Sequence, residues 1–315
     1  MMDSPLVSVQ HLSRAYGHLL AVQDVSFALQ KGEVLGFLGP NGAGKSTTMQ
    51  IITGNLAPTE GRITINGIDL LEQPKAAKAE IGYLPEQPPL YRELTVDEYL
   101  RFCARLNRIR RDKVDAAVRR AKDRCGLEAV GRRLIANLSK GYQQRVGIAQ
   151  AIIHTPAVVV LDEPTVGLDP IQIREIRDLI RDIGTEHGVI LSTHILPEVQ
   201  MTCSRVQIIN QGRLVFSDSI ENLNRRMDTT TLVVAFDHSP AADELAAIEG
   251  VERVEELADG RFRLHHAPGE SPAPRVAETA VTRGWGLREL TPEHKSLEQI
   301  FIEITSTEHA VEDAA

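Results

Sequence analysis

The chain has 315 residues, 42% of them hydrophobic and 25% charged, enough for one sizeable core and a smaller module. A formal net charge of −8 gives no support to a nucleic-acid-binding surface, and the widely spaced Cys103, Cys125 and Cys203 suggest neither a disulfide framework nor a zinc cluster. No apolar run approaches the roughly 18 residues of a membrane-crossing helix, and Met1 to Pro5 lacks the basic-then-apolar pattern of a leader.

Three short strands open the chain: Leu6 to Val9, Val25 to Leu29 and, after a Lys31-Gly32 turn, Val34 to Leu38. The third runs into Gly39-Pro40-Asn41-Gly42-Ala43-Gly44-Lys45-Ser46-Thr47, a match to GxxxxGK(S/T) between a strand and a helix. Glycines there let backbone N–H groups turn inward around phosphates; Lys45 supplies a point charge for the β- and γ-oxygens, and the Ser46 hydroxyl suits Mg²⁺. A helix over Ser46 to Thr53, ended by Gly54, aims its positive end at the same anion.

Ile63 to Ile65 followed by Asn66-Gly67 reads as a hairpin, and Ile81 to Leu84 as a further strand. From about residue 88 to 135 the pattern is helical, opened by Thr95 and Glu98 at the spacing of a capping box. The basic stretch Arg105 to Arg111 within it reads as a solvated face. Val158 to Leu161 is an apolar strand ending in Asp162 and Glu163, which places two carboxylates where α/β sheets bind ligands. Asp162 is placed to hold Mg²⁺ or its water, and Glu163 to polarise the water attacking a γ-phosphate. A helix around Gln172 to His187 precedes a further strand, Val189 to Ser192, so a mainly parallel sheet wrapped by helices is expected.

A polar segment near Asn224 to Thr231 marks a boundary between residues 1 to 224 and a small α+β module at 229 to 306. The module reads strand, helix (Ala241 to Ile248), strand, Asp259-Gly260 turn, strand, helix, strand, helix, a split βαβ order. Residues 307 to 315 read as a disordered tail.

Residues 6 to about 220 resemble the ATP-binding cassette (ABC) ATPases, with the motifs in family order. Leu138-Ser139-Lys140-Gly141-Tyr142 resembles the family's LSGGQ signature at three positions of five, Lys140 and Tyr142 being departures. The helix after it is expected to place Tyr142, Val146, Ala149 and Ile153 on one face. The resemblance implies a P-loop ABC ATPase domain of RecA-like mixed sheet, antiparallel β and helical subdomains. It implies ATP and Mg²⁺ as cofactors, adenine stacking by Tyr16, and γ-phosphate contacts from Ser139 and Gly141. It further implies Mg²⁺ and partner coupling through Gln87, nucleotide contact near Asp169, and γ-phosphate sensing by His194. In this family the signature of one subunit closes over the P-loop of another, so a head-to-tail dimer with a second copy is implied.

Pro88 to Leu100 and Ser296 to Glu303 resemble ATPases of ABC-2-type exporters, and the signature variant resembles the gliding-motility-associated type. A polytopic membrane permease is the implied partner, with this chain on the cytoplasmic face of the membrane. The alternative is a soluble ABC ATPase of DNA repair or ribosomes; the long coiled coil of the former and the tandem cassettes of the latter are absent from this sequence. A non-catalytic scaffold would tolerate a degenerate Lys45 or Glu163, and both are intact.

Overall fold

The computed structural model describes residues 4–227, 231–267 and 271–293. The chain forms two compact units, Met1–Ile220 and Glu221–Ala315.

The first unit begins with strands β1 (Val7–Tyr16), β2 (Leu19–Leu29) and β3 (Val34–Leu38) and helix α1 (Lys45–Ile52). There follow β4 (Glu60–Ile65), β5 (Ile68–Asp69), α2 (Pro74–Ala79), β6 (Ile81–Leu84), α3 (Val96–Leu106), α4 (Val114–Cys125) and α5 (Lys140–Ile152). The remainder is β7 (Val158–Asp162), α6 (Pro170–Gly184), β8 (Gly188–Thr193), α7 (Leu196–Thr202), β9 (Arg205–Asn210), β10 (Arg213–Ser219) and α8 (Ile220–Met227), which reaches into the second unit.

An antiparallel sheet has the order β2-β1-β4-β5, and a six-stranded sheet the order β10-β9-β3-β8-β7-β6. In the latter all neighbours are parallel except β10 with β9. β3, β7 and β8 are buried at every residue, which is why they read as unbroken apolar runs rather than alternating ones. One core joins Val7, Val9 and Leu12 of β1 to Phe37 of β3, Met49 and Ile52 of α1, and Val158 and Val160 of β7. The two sheets are thus the faces of one apolar layer with α1 built into it.

β1 and β2 extend well past the short runs read from sequence, to Tyr16 and back to Leu19. Register shifts between Val9 and Ala15 break the alternation that would reveal them. The hairpin at Asn66-Gly67 forms with both residues at positive φ, +49° and +77°, the type I′ turn that matches strand twist. Helix α2 has no counterpart in the sequence reading; it is one and a half turns with a single buried residue, Ala77, too short for a periodic signal.

The capping box forms as expected: Glu98 N–H donates to Thr95 Oγ1 at 3.3 Å, and Thr95 N–H to Glu98 Oε2 at 2.8 Å. α5 carries the expected face, with exposure differing along it. Val146, Ala149 and Ile153 are buried, whereas Tyr142 is exposed, because it lies in the first turn, where the helix end opens to solvent.

The second unit contains β11 (Thr231–Phe236), α9 (Ala242–Ala246), β12 (Arg253–Glu256), β13 (Arg261–His265), α10 (Ala273–Thr282) and β14 (Leu287–Pro292). Its sheet order is β12-β13-β11-β14 with every neighbour antiparallel, which is the split βαβ arrangement. Alternate residues Leu232, Val234 and Phe236 face Leu245 of α9, Val276 and Ala280 of α10, and Trp285. Helix α9 is shorter than Ala241 to Ile248. The expected last helix, the Ser296 to Glu303 segment and the tail at 307 to 315 lie outside the described residues.

Candidate nucleotide site

Three parallel neighbours, β3, β8 and β7, end side by side. The phosphate loop leaves β3, His194 follows β8, and Asp162 closes β7 with Glu163 next in line. Carboxyl ends of parallel strands are where such sheets bind ligands. Here they meet at a cavity of about 330 Å³ lined by Asn41, Gly42, Gly44, Lys45, Ser46, Thr47, Glu163 and His194, at the small end of the usual range of small-molecule sites. Ala21, Glu86 and Val166 complete the wall.

Gly44, with φ +105°, caps the N-terminus of α1; a Cβ there would strike the Ala21 carbonyl, so the loop can pass β2 only as glycine. Lys45 is buried, and its ammonium donates to the Gly39 carbonyl at 2.8 Å and the Pro40 carbonyl at 3.2 Å. Its Nζ also lies 3.8 Å from Glu163 Oε1. Burial depresses the Lys45 pKa, and the carboxylates of Glu163, Asp162 and Glu86 oppose that push.

Glu163 has φ +49°, a left-handed conformation that costs a non-glycine residue of order 1–3 kcal/mol and recurs at functional sites. Its carboxylate faces His194 Nδ1 at 2.9 and 3.0 Å. An acceptor carboxylate requires the imidazole proton on Nδ1, leaving Nε2 for another partner. Asp162 is buried, and among the described residues its Oδ1 has no hydrogen-bond partner. Burial raises its pKa, and the nearby Ser192 and Ser46 hydroxyls oppose the rise without bonding Oδ1.

The other expected residues lie elsewhere. Gly39, Pro40 and Ala43 shape the loop beneath the wall, Ala43 N–H bonding the Pro40 carbonyl. Tyr16 is exposed at the end of β1, with the Arg14 guanidinium 4.8 Å from its ring centroid. Gln87 faces a second cavity, with Lys140, Gln143 and Gln144; its neighbour Glu86 borders both cavities. Sequence spacing alone does not choose between adjacent loop residues.

Ser139, Gly141 and Asp169 line a third cavity with Tyr142, Arg145 and Gln172. It shares no lining residue with the phosphate-loop cavity. Ser139 caps α5, accepting from Tyr142 N–H at 3.4 Å, and Asp169 caps α6, accepting from Ile171 and Gln172 N–H at 3.0 and 2.9 Å. Lys140 turns away from this cavity, its ammonium packing against Gly167.

A phosphate loop on the first helix of a mainly parallel sheet, with an acidic strand end two strands away, defines a P-loop nucleotide-binding domain. Comparison with known proteins narrows the class. Residues 22–166 match the family model "ABC transporter", and residues 219–305 match "ATP-binding protein DrrA1-3-like, C-terminal domain". A Bacillus subtilis (strain 168) relative, the uncharacterized ABC transporter ATP-binding protein YdbJ, is 32% identical over 97% of this chain and 97% of its own. The bacitracin transport ATP-binding protein BcrA of Bacillus licheniformis is 30% identical over 96% of this chain and 97% of its own. A solved ATP-binding subunit of an ABC transporter superposes with a TM-score of 0.63 at 33% identity, covering 70% of this chain and 92% of that one. The chain belongs to the ABC transporter ATP-binding proteins. Among the described residues no helix is long and apolar enough to cross a membrane.

Proposed function

We propose that this chain binds and hydrolyses MgATP as a head-to-tail dimer that powers a separate membrane permease, in the direction of export. The observation that carries this reading is that two half-sites lie on one chain without meeting: the phosphate loop with Glu163 and His194 in one cavity, and Ser139, Gly141 and Asp169 in another. A second copy presenting its Ser139 cavity to the first copy's Lys45 would complete both sites at once.

In the proposed mechanism the β- and γ-phosphates replace Glu163 and the loop carbonyls as partners of Lys45, and the α1 N-terminus adds its dipole. Tyr16 stacks on adenine. Glu163 accepts the proton of the attacking water, and His194, its Nδ1–H held by Glu163, donates to the γ-phosphate through Nε2 when both ring nitrogens carry a proton. Asp162, through its unpartnered Oδ1, and Ser46 would hold Mg²⁺. When bound, such an ion would supply charge neutralisation at a site where Asp162, Glu163 and Glu86 surround Lys45. No group of three or more His, Cys, Asp or Glu that could hold a metal occurs among the described residues, so phosphate oxygens and water would complete the shell. Glu86, which borders the cavity, is a better placed partner for that water than Gln87.

The permease supplies the membrane path and holds the chain at the cytoplasmic face. The transporter and antibiotic-transport names of relatives that align over nearly the full chain support this reading over a soluble alternative. An exposed aromatic pair supports it as well: the Tyr91 and Phe102 rings meet edge-on with centroids 5.4 Å apart, and Tyr91 rests on the buried Tyr99 at 6.2 Å.

The test is ATP-driven association. Glu163→Gln should accumulate as an MgATP-bound dimer by size-exclusion light scattering, and adding Ser139→Arg should return it to monomer with ATP affinity nearly unchanged. A double variant that dimerises as readily as the single one overturns the composite site.

A further inference from the structure

Glu198 is a carboxylate the mechanism above does not use. It is 1% exposed and stands in the first turn of α7. Its two oxygens are each satisfied by a hydroxyl: Thr165 Oγ1 donates to Oε1 at 2.7 Å, and Thr193 Oγ1 to Oε2 at 3.1 Å. No basic side chain pairs with it among the described residues. A buried carboxylate with neutral partners alone is a costly choice for packing, where an apolar residue of similar volume serves better.

The positions of the two threonines explain the choice. Thr165 lies two residues after Glu163, on the segment that leads to Asp169; Thr193 directly precedes His194. Both are almost fully buried. Thr193 Oγ1 also accepts from Ile195 N–H at 3.1 Å, so the same hydroxyl holds the backbone on both sides of His194. Glu198 is therefore a single rigid group bonded to the loop of the water-activating carboxylate and to the loop of the imidazole that carboxylate contacts.

We propose that Glu198 is a positioning residue for hydrolysis, clamping the Glu163 loop to the His194 loop through Thr165 and Thr193. This rests on the assignment of Glu163 and His194 to the reaction. Without the clamp each loop keeps its own fold but loses its register with the other, and a misplacement of about 1 Å at a reacting group costs on the order of 10²-fold in rate.

The experiment uses the full chain with Thr165→Val, Thr193→Val, Glu198→Gln and Glu198→Ala. The valine variants preserve shape and remove one arm each, so they answer the question even if Glu198→Ala does not fold. Each valine variant should lower kcat about tenfold and Glu198→Ala about 10²-fold, with KM and Kd for ATP within about twofold to threefold. Combining all three changes should be no worse than Glu198→Ala alone, since the arms act through one group. Glu198→Gln should recover most of kcat, because its amide oxygen accepts from one threonine and its NH₂ donates to the other. Hydrogen exchange over residues 163–169 and 192–198 should rise together in Glu198→Ala. Folded valine and alanine variants with wild-type kcat, or exchange that rises in one segment alone, overturn the clamp. Absence of hydrolysis in the wild-type chain instead overturns the ATPase reading, and exchange still reads the clamp.

Discussion

Lys45 Nζ lies 3.8 Å from Oε1 of Glu163, both side chains buried, while the same ammonium bonds the carbonyls of Gly39 and Pro40. The lysine expected to meet phosphate is thus held by the carboxylate expected to activate water. In the proposed mechanism a phosphate entering the cavity would compete with Glu163 for Lys45, and in winning would free the carboxylate from the lysine. Burial strengthens the competition, because charges in a low-dielectric site interact more strongly than in solvent.

Glu163→Gln should accordingly separate binding from turnover. Loss of a general base lowers the rate by roughly 10²- to 10⁴-fold, about 3 to 5 kcal/mol of barrier. ATP affinity should hold or rise, because Lys45 is released from an ion pair and a negative charge near the γ-phosphate is gone. Single-turnover hydrolysis and a fluorescent-nucleotide titration measure the two effects. A variant that hydrolyses at the wild-type rate shows that another group takes the proton.

Glu86 and Gln87 offer a direct comparison of neighbours. Glu86 borders the phosphate-loop cavity and Gln87 only the adjacent one. Glu86→Ala should raise the Mg²⁺ concentration needed for half-maximal hydrolysis by about tenfold, the cost of one charged ligand or ligand-water contact, whereas Gln87→Ala should leave it within about twofold. A Mg²⁺ titration of ATPase rate in which Gln87→Ala is the more damaged variant restores the role to the glutamine.

The phosphate loop, Asp162, Glu163 and His194 all belong to the unit Met1–Ile220. A chain ending at Asn224 should therefore bind MgATP with an affinity within a fewfold of the full chain, by isothermal titration. A truncated protein with native circular dichroism and no affinity would refute modular separation.

The aromatic group around Tyr91 is expected to receive the permease. Cys103, Cys125 and Cys203 are buried, so a cysteine placed at Leu90 or Tyr91 can be labelled selectively. Crosslinks from either position in membranes should capture a polytopic protein. Labelling that reaches such a protein only from the exposed Ile171, on α6, would move the docking surface.

What the sequence determined by itself is whatever depends on neighbours along the chain. The phosphate loop, the Thr95–Glu98 cap, the Asn66-Gly67 turn and the β7 run into Asp162 are each written in a few contiguous residues, because helix caps, tight turns and buried parallel strands place local demands on residue type. The split βαβ order of the second unit was legible for the same reason. Only the tertiary structure decided which distant groups meet. Ala21 reaches the nucleotide cavity because the antiparallel sheet lays β2 beside Gly44; Glu86 rather than Gln87 faces that cavity because an irregular loop has no period to read; Glu198 joins Thr165 to Thr193 because α7 packs beneath two strand ends. The separation of the Ser139 cavity from the Lys45 cavity was implied by the family resemblance and by no local spacing, since it is set by how the sheet and α5 pack.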